Sequence, residues 1–330
     1  MAGKKDDIHV IQYCAKQLQP NLKSITENAK NILRRKNIED IHDIRVASRR
    51  IRTCIDIFVD YLPEKKAKSW LKDIKIITKS FGGVRDLDVQ LDLIHNIYSL
   101  EEDRKLRSGL RRVMLRLKQK RQIKQSKTKD ITSSLLESTT IMEMATWVDA
   151  VLGDELQIEF TRELYQAGYE KIQNRLEEFL FFEVFIFDPT RIEELHQMRI
   201  SAKGLRYALE VFSNLYQKKT DFALEITKQT QQYLGEIHDC DVWVDYLPKF
   251  LEKEYERIKG FYGYTSPFSR IKPGIQFLIN NRQEKRDEIY EQFIEDWKGW
   301  KLKETWLNLR KIIFLTSLED PPIQPNSTNP

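Results

Sequence analysis

Residues 41–52 read IHDIRVASRRIR, and residues 195–206 read LHQMRISAKGLR. A shift of 154 positions places His42 on His196, Arg45 on Arg199, Arg49 on Lys203, Arg52 on Arg206 and Phe58 on Phe212. A second pair of blocks follows in the same order at a shift of 153: FGGVRDLDVQLDL (81–93) falls on LGEIHDCDVWVDY (234–246). There Gly82, Asp86, Asp88, Val89 and Asp92 are identical to Gly235, Asp239, Asp241, Val242 and Asp245, and Lys75 falls on Lys228. Two blocks in one order at nearly one offset read as an internal duplication.

The duplicated unit reads as helical. Apolar residues recur at spacings of three and four, glycine and proline are sparse (12 and 10 of 330 residues), and no alternating window marks a strand. The spacing predicts helices at about 7–36, 38–62, 65–97 and 100–128, then 156–186, 191–216, 220–256 and 274–316. Pro63 and Pro189 fall at helix junctions, where a missing N–H does least harm. The expected fold is all-α, two four-helix bundles built from one repeated unit. The first repeat is expected over 1–130, a connector over 131–155, the second repeat over 156–317 and a disordered tail over 318–330. Within the connector, MEMATWVDAVL (142–152) is able to form a short helix, and 257–273 reads as a loop.

Charge is unevenly spread. The chain carries a net +5, yet residues 104–129 alone hold twelve Lys/Arg and no acid, while 131–190 hold twelve acids and three basic residues. Such polarity points to a local anion-binding surface. Cys14, Cys54 and Cys240 lack the spacing of a zinc site or a disulfide framework, which fits a reducing compartment. The opening MAGKKDDIHV has no apolar signal region, and the most apolar run, FLFFEVFIF (179–187), is broken by Glu183 and too short for a bilayer. A cytoplasmic protein with no membrane partner is expected.

On a helical wheel started at His42, the side chains of Arg45, Arg49 and Arg52 fall with it inside an arc of about 80°. Ile41, Ile44, Ile51, Ile55, Phe58 and Leu62 occupy the adjoining arc and must face the core. The second stretch repeats this, with His196, Arg199, Lys203 and Arg206 beside Leu195, Met198, Leu205, Leu209 and Phe212. A solvated helix usually mixes signs to gain i,i+4 pairs, whereas a same-sign stripe is repelled by about 0.2–0.5 kcal/mol per close pair. A polyvalent anion would offset that repulsion. Three further helices add basic residues. Arg282 and Arg286 fall on the inward face of 274–297, where they need buried acids or an anion-filled channel. Lys75, Gly82 and Arg85 flank the apolar face of 65–97, and the Gly82–Gly83 pair implies close packing or close ligand approach. Arg107, Arg111 and Lys118 flank the apolar face of 100–128, as ligand surface or as a solvated basic face.

The two HxxRxxxRxxR-type ladders, each followed by a Gly-containing RDLDV-like block, resemble the CHAD family, named for its conserved-histidine α-helical domain. The resemblance runs from about residue 7 to residue 315. The second copy departs from the pattern where Gly204 replaces a basic position and where His238 stands for Arg85. The resemblance implies two bundles related by a pseudo-twofold axis around a basic central pore or groove that binds inorganic polyphosphate. It carries that role onto His42, Arg45, Arg49 and Arg52, and onto His196, Arg199, Lys203 and Arg206, with Lys75, Arg85, Lys228 and His238 following. Polyphosphate granules and polyphosphate-metabolising enzymes are the further partners it brings in, and no cofactor is implied. Some members are fused to a triphosphatase domain with an ExExK strand motif, which this sequence lacks.

The ladder chemistry supports such a ligand independently. Arginines one helical turn apart can hold a row of oxyanions through bidentate, charge-assisted bonds, histidine adds N–H donors, and two linked ladders raise avidity. Three other functions compete. HDIR resembles the histidine box of sensor kinases, but no TP follows and no ATP-binding glycine boxes are present. Asp86/Asp88 and Asp239/Asp241 have the form of a DxD metal motif, yet residues i and i+2 of a helix point about 200° apart. These acids are expected to pair with basic side chains of neighbouring helices. Nucleic acid satisfies the same electrostatics and stays open, although no aromatics interleave the ladder as stacking platforms. Binding without catalysis is the expected function.

Overall fold

Buried residues at every third or fourth position set the helices, and local caps set their ends. The computed structural model describes residues 7–35, 38–153 and 158–318. Its helices are α1 (Ile8–Arg35), α2 (Ile38–Ile57), α3 (Glu64–Leu100), α4 (Arg104–Ser126), α5 (Thr128–Leu136) and α6 (Thr139–Leu152). They continue with α7 (Arg162–Leu180), α8 (Ile192–Phe212), α9 (Asp221–Tyr262), α10 (Lys272–Leu302) and α11 (Thr305–Leu318), and no strand occurs among the described residues. Asp103 opens α4 by accepting from the Lys105 N–H at 2.7 Å, and Thr161 opens α7 by accepting from Leu164 at 3.3 Å. At the far end of α9, Gly263 takes φ 73° and its N–H closes on the Lys259 carbonyl.

Sequence neighbours pack on each other: α1, α2, α3 and α4 in succession, and likewise α7, α8, α9 and α10. The two halves meet where α2 packs on α8 and where α4 packs on α10. The larger core gathers Leu18, Phe58, Trp70 and Phe81 from the first half with Phe179, Phe212, Phe293 and Trp297 from the second. Phe58 and Phe212, equivalent under the 154-residue shift, touch edge-on with ring centroids 5.6 Å apart. Each large side chain buried there contributes about 1.5–3 kcal/mol relative to exposure. A smaller core joins Leu87, Ile94, Leu110 and Val113 to Trp243, Leu247, Phe250 and Leu278. The long helices α3 and α9 therefore run from one core into the other, and RDLD (85–88) and HDCD (238–241) lie at the passage.

Two glycines let α4 and α10 cross. A Cβ on Gly274 would collide with the Leu106 carbonyl, and one on Gly109 would collide with the Ile271 carbonyl. The helices thus meet backbone to backbone, which only a residue without Cβ permits. Beside the crossing, the fully buried Glu254 of α9 receives Arg116 Nε at 2.8 Å and Arg112 Nη1 at 3.7 Å from α4, together with Arg257. Burial alone would raise the Glu254 carboxyl, but the Arg116 and Arg257 hydrogen bonds outweigh it and hold it below the usual range. Part of the basic run in α4 is thereby consumed in holding α4 to α9.

Four elements differ from expectation. The connector stretch is helical beyond the short helix allowed for 142–152, over Thr128–Leu136 and Thr139–Leu152, and both helices pack on α1. The reason is their own apolar spacing, since Ile141, Met144 and Val148 are buried. The expected loop after 256 is mostly ordered: α9 runs to Tyr262, and Ser266–Arg270 form a 3-10 turn. The last helix is broken at Lys303 and Glu304, the latter at φ 51°, before α11 turns away to pack on α7. The helix expected over 156–186 gives way at Leu180 to a 3-10 turn over Phe181–Phe185. The tail beyond Leu318 lies outside the described residues. No helix among the described residues is long and apolar enough to cross a membrane.

Replacing Gly274 by Leu should force α4 and α10 apart and destabilise the protein by about 2–3 kcal/mol. Urea unfolding followed by circular dichroism reads this directly, and an unchanged midpoint would show that the helices do not meet at Gly109 and Gly274.

Candidate anion-binding site

The packing of α2 on α8 sets the two ladders against each other. Arg45 and Arg49 project from α2, Arg199 and Lys203 from α8, and all four are partly buried. They stand close enough that each ladder acts on the other: Arg49 acts on Arg199, and both Arg49 and Arg45 act on Lys203. Burial first, then Arg199 and Arg49, push the Lys203 ammonium down to about 8. Arg45 and Arg199 are likewise lowered, in each case chiefly by burial. The Nε atoms of Arg49 and Arg199 are buried without a hydrogen-bond partner in the chain.

The long helices α3 and α9 brace this cluster from both sides. Gly82 of α3 gives passage to Arg45, whose guanidinium would collide with any Cβ there, and Gly83 gives passage to Lys124 of α4. Asp86 lies 3.5 Å from Arg45. Asp239, its equivalent, acts on Arg199 and Lys203, and burial raises its own carboxyl against their pull. The second acid of each block turns the other way: Asp88 binds Arg121 of α4, and Asp241 binds Arg286 of α10. The paired acids thus point apart and orient cations on separate helices, as their i, i+2 spacing requires. Arg286 also donates to the Pro189 carbonyl at 2.8 Å, so its inward position is met by the half-buried Asp241 and a backbone carbonyl. Arg282 lines a cavity of about 630 Å³ with Arg199, Lys285, Asp86 and Asp239.

In the second half the head of the ladder is a histidine pair. His196 Nδ1 lies 3.0 Å from His238 Nδ1, with ring centroids 4.2 Å apart. Burial first, then Arg199 and His196, push His238 down to about 4. In the first half His42 and Arg52 are half-buried on the same stripe as Arg45 and Arg49, and Arg85 acts on Arg45.

The remaining candidate residues lie apart from this cluster. Lys75 and Arg111 are exposed, and Arg107 stacks 4.3 Å from the centre of the Tyr98 ring. Arg206 donates to Glu210 at 2.8 Å and to Gln231 at 3.3 Å. Lys228 lines a separate groove of about 610 Å³ with Arg50, Asp43 and Asn21. The sequence reading missed Lys285 of α10, which lines the cavity with Arg199, Lys124 of α4, which passes Gly83, and Arg121, which ties α4 to Asp88; the glycine pair at 82–83 was the signal for Lys124. It also missed Arg175. At Gly204, Arg175 of α7 passes with its Cδ 3.4 Å from where a Cβ would stand, and it pairs with Asp56 of α2. The equivalent of Gly204 in the first half, Arg50, reaches Glu210, the equivalent of Asp56, at 3.9 Å. A cation is therefore present at both places, supplied from different helices.

The CHAD domain family profile matches residues 16–248. Among solved structures, the CHAD domain from the plant Ricinus communis superposes with a TM-score of 0.59 at 20% identity, covering 88% of this chain and 93% of that one. PptA from Streptomyces chartreusis superposes with a TM-score of 0.54 at 13% identity, covering 87% of this chain and 98% of that one. No curated protein matches the sequence.

Lys203 should titrate near 8, well below surface lysines, as read by NMR of its labelled side chain. Arg49→Gln should shift that titration upward by removing a neighbouring like charge. An ordinary lysine titration at position 203, unmoved by Arg49→Gln, would show that the ladders do not face each other.

Proposed function

This chain belongs to the CHAD domain family, and on that premise we propose that it binds inorganic polyphosphate between its two basic ladders without breaking it. The observation that carries this reading is the partly buried cluster of Arg45, Arg49, Arg199 and Lys203, to which Arg85 adds a further like charge and which Asp86 and Asp239 offset in part. Partly desolvated like charges on facing helices are unfavourable alone, and a polyanion laid between them reverses the sign. Arginine forks suit rows of phosphate oxygens better than single carboxylates, which favours a polymer over a small acid.

We read the architecture as two copies of one helical unit about a pseudo-twofold axis, with the basic groove along it. Three observations support this. Phe58 meets its equivalent Phe212, the ion pair Asp88–Arg121 is matched by Asp241–Arg286, and Gly109 meets Gly274, each glycine 12 positions before the arginine of its ion pair. Binding without hydrolysis is favoured because the acids of each DxD block are engaged by arginines on different helices. The polyphosphate-facing set is then Arg45, Arg49, Arg85, Arg199, Lys203 and Arg282, with His42, Arg52, His196 and His238 at its margins. Soluble polyphosphate and polyphosphate granules are the partners this surface fits.

A titration with polyphosphate of defined length should show saturable binding that weakens steeply as salt rises. The variant R45A/R49A/R199A/K203A should lose at least about a hundredfold in affinity while keeping its helical circular dichroism, since each charged contact removed is worth on the order of 1.5–3 kcal/mol. Duplex DNA and single-stranded RNA at matched phosphate concentration should compete poorly. Equal competition would convert the reading to a general nucleic-acid binder, and full retention of binding by the variant would remove the ladders as the site.

A further inference from the structure

The two ladders are electrically unequal. Positions 42 and 85 of the first half are His and Arg, whereas their equivalents are His196 and His238. The 3.0 Å contact between the Nδ1 atoms of those two rings needs one N–H and one lone pair, so it persists only while at least one ring is neutral. The groups acting on His238 come mainly from α8: Arg199, His196 and Lys203 disfavour its charge, and Glu193 favours it. From α10, Arg282 and Arg286 act instead on the neighbouring Cys240 and Asp241. The first half has an arginine, Arg85, at the place of His238.

We propose that the His196–His238 pair is a selectivity element of the ladder, parting and taking up a proton only against a polyanion of very high charge density. This rests on the polyphosphate reading above and names what tells that ligand from nucleic acid. In polyphosphate one bridging oxygen separates successive phosphorus atoms, so negative charge is packed along the whole chain. In nucleic acid a sugar intervenes, and the field at any one imidazole is weaker. Charging His238 in the free protein at neutral pH is uphill by on the order of a thousandfold, given its value of about 4. Polyphosphate supplies enough field to overcome that step and gains a new N–H donor from each ring. RNA does not, and it meets a neutral pair where the first ladder offers Arg85.

The sign follows from linkage. A bound-state pKa above the free value means proton uptake on binding, so affinity rises as pH falls. It rises by up to about tenfold per pH unit per proton and levels off once the free His238 is itself charged, below about 4.

The test is calorimetry with polyphosphate and with RNA of equal phosphate number, in buffers of different ionisation heat, between about pH 5 and 7.5. The wild-type protein should take up protons with polyphosphate and few with RNA. His238→Arg should keep polyphosphate binding, lose most of that uptake, and narrow the polyphosphate-to-RNA affinity ratio several-fold, because a permanent cation serves both ligands. His238→Gln should lose the uptake without gaining RNA affinity, and circular dichroism checks that both variants fold. Wild-type binding without proton uptake, or an unchanged affinity ratio in His238→Arg, overturns the proposal while leaving polyphosphate binding standing. Failure to bind polyphosphate at any pH overturns both.

Discussion

Like charges held partly out of water on facing helices are the constraint to which the rest of this fold answers. Arg45 and Arg49 on α2 oppose Arg199 and Lys203 on α8, and the ammonium of Lys203 is depressed by burial first and then by Arg199 and Arg49. An arrangement of this kind survives only if other interactions hold the helices in place. Here the holding is apolar on one side, where Phe58 meets Phe212, and backbone-close on the other, where Gly109 meets Gly274. The cations are thus fixed by contacts in which they take no part.

The acids show the same division of labour. Asp86 and Asp239 stand beside the ladder and moderate it, while Asp88 and Asp241 anchor arginines from the fourth helix of each half. Glu254 does the equivalent for α4 and α9, collecting three guanidiniums in a fully buried position. Many of the basic residues that give the sequence its polarity are structural ties. The proposed ligand surface is the smaller remainder, where Asp86 stands 3.5 Å from Arg45 and Asp239 acts on Arg199 and Lys203.

The ladder pattern and the 154-residue shift were legible because helical periodicity and residue identity are local signals. They identified α2 and α8, their buried faces, and the basic stripes whose residues Arg45, Arg49, Arg199 and Lys203 the structure brings together. Gly82 was legible as a place of close approach, although what approaches is Arg45 and not a ligand. The contributions of Arg121, Lys124, Lys285 and Arg175 were not legible, since each depends on how a distant helix crosses. Glycines at 109 and 274 decide the α4–α10 crossing, yet nothing local distinguishes a glycine at a helix crossing from one that merely weakens a helix. Arg206 matched the pattern on the wheel, but its partner Glu210 stands one turn on in the same helix, whereas the partner of Arg286, Asp241 on α9, is shown only by tertiary packing. In the connector stretch the capacity of 142–152 for helix was legible, whereas the nine-residue α5 carries too few turns to stand out, and both helices pack on α1.

A structure of the protein with a polyphosphate of defined length bound is the most direct test of the account. It predicts phosphates in the groove between α2 and α8, within hydrogen-bond distance of Arg45, Arg49, Arg199 and Lys203. A chain lying instead along the exposed basic face of α4, with those four side chains untouched, would contradict it.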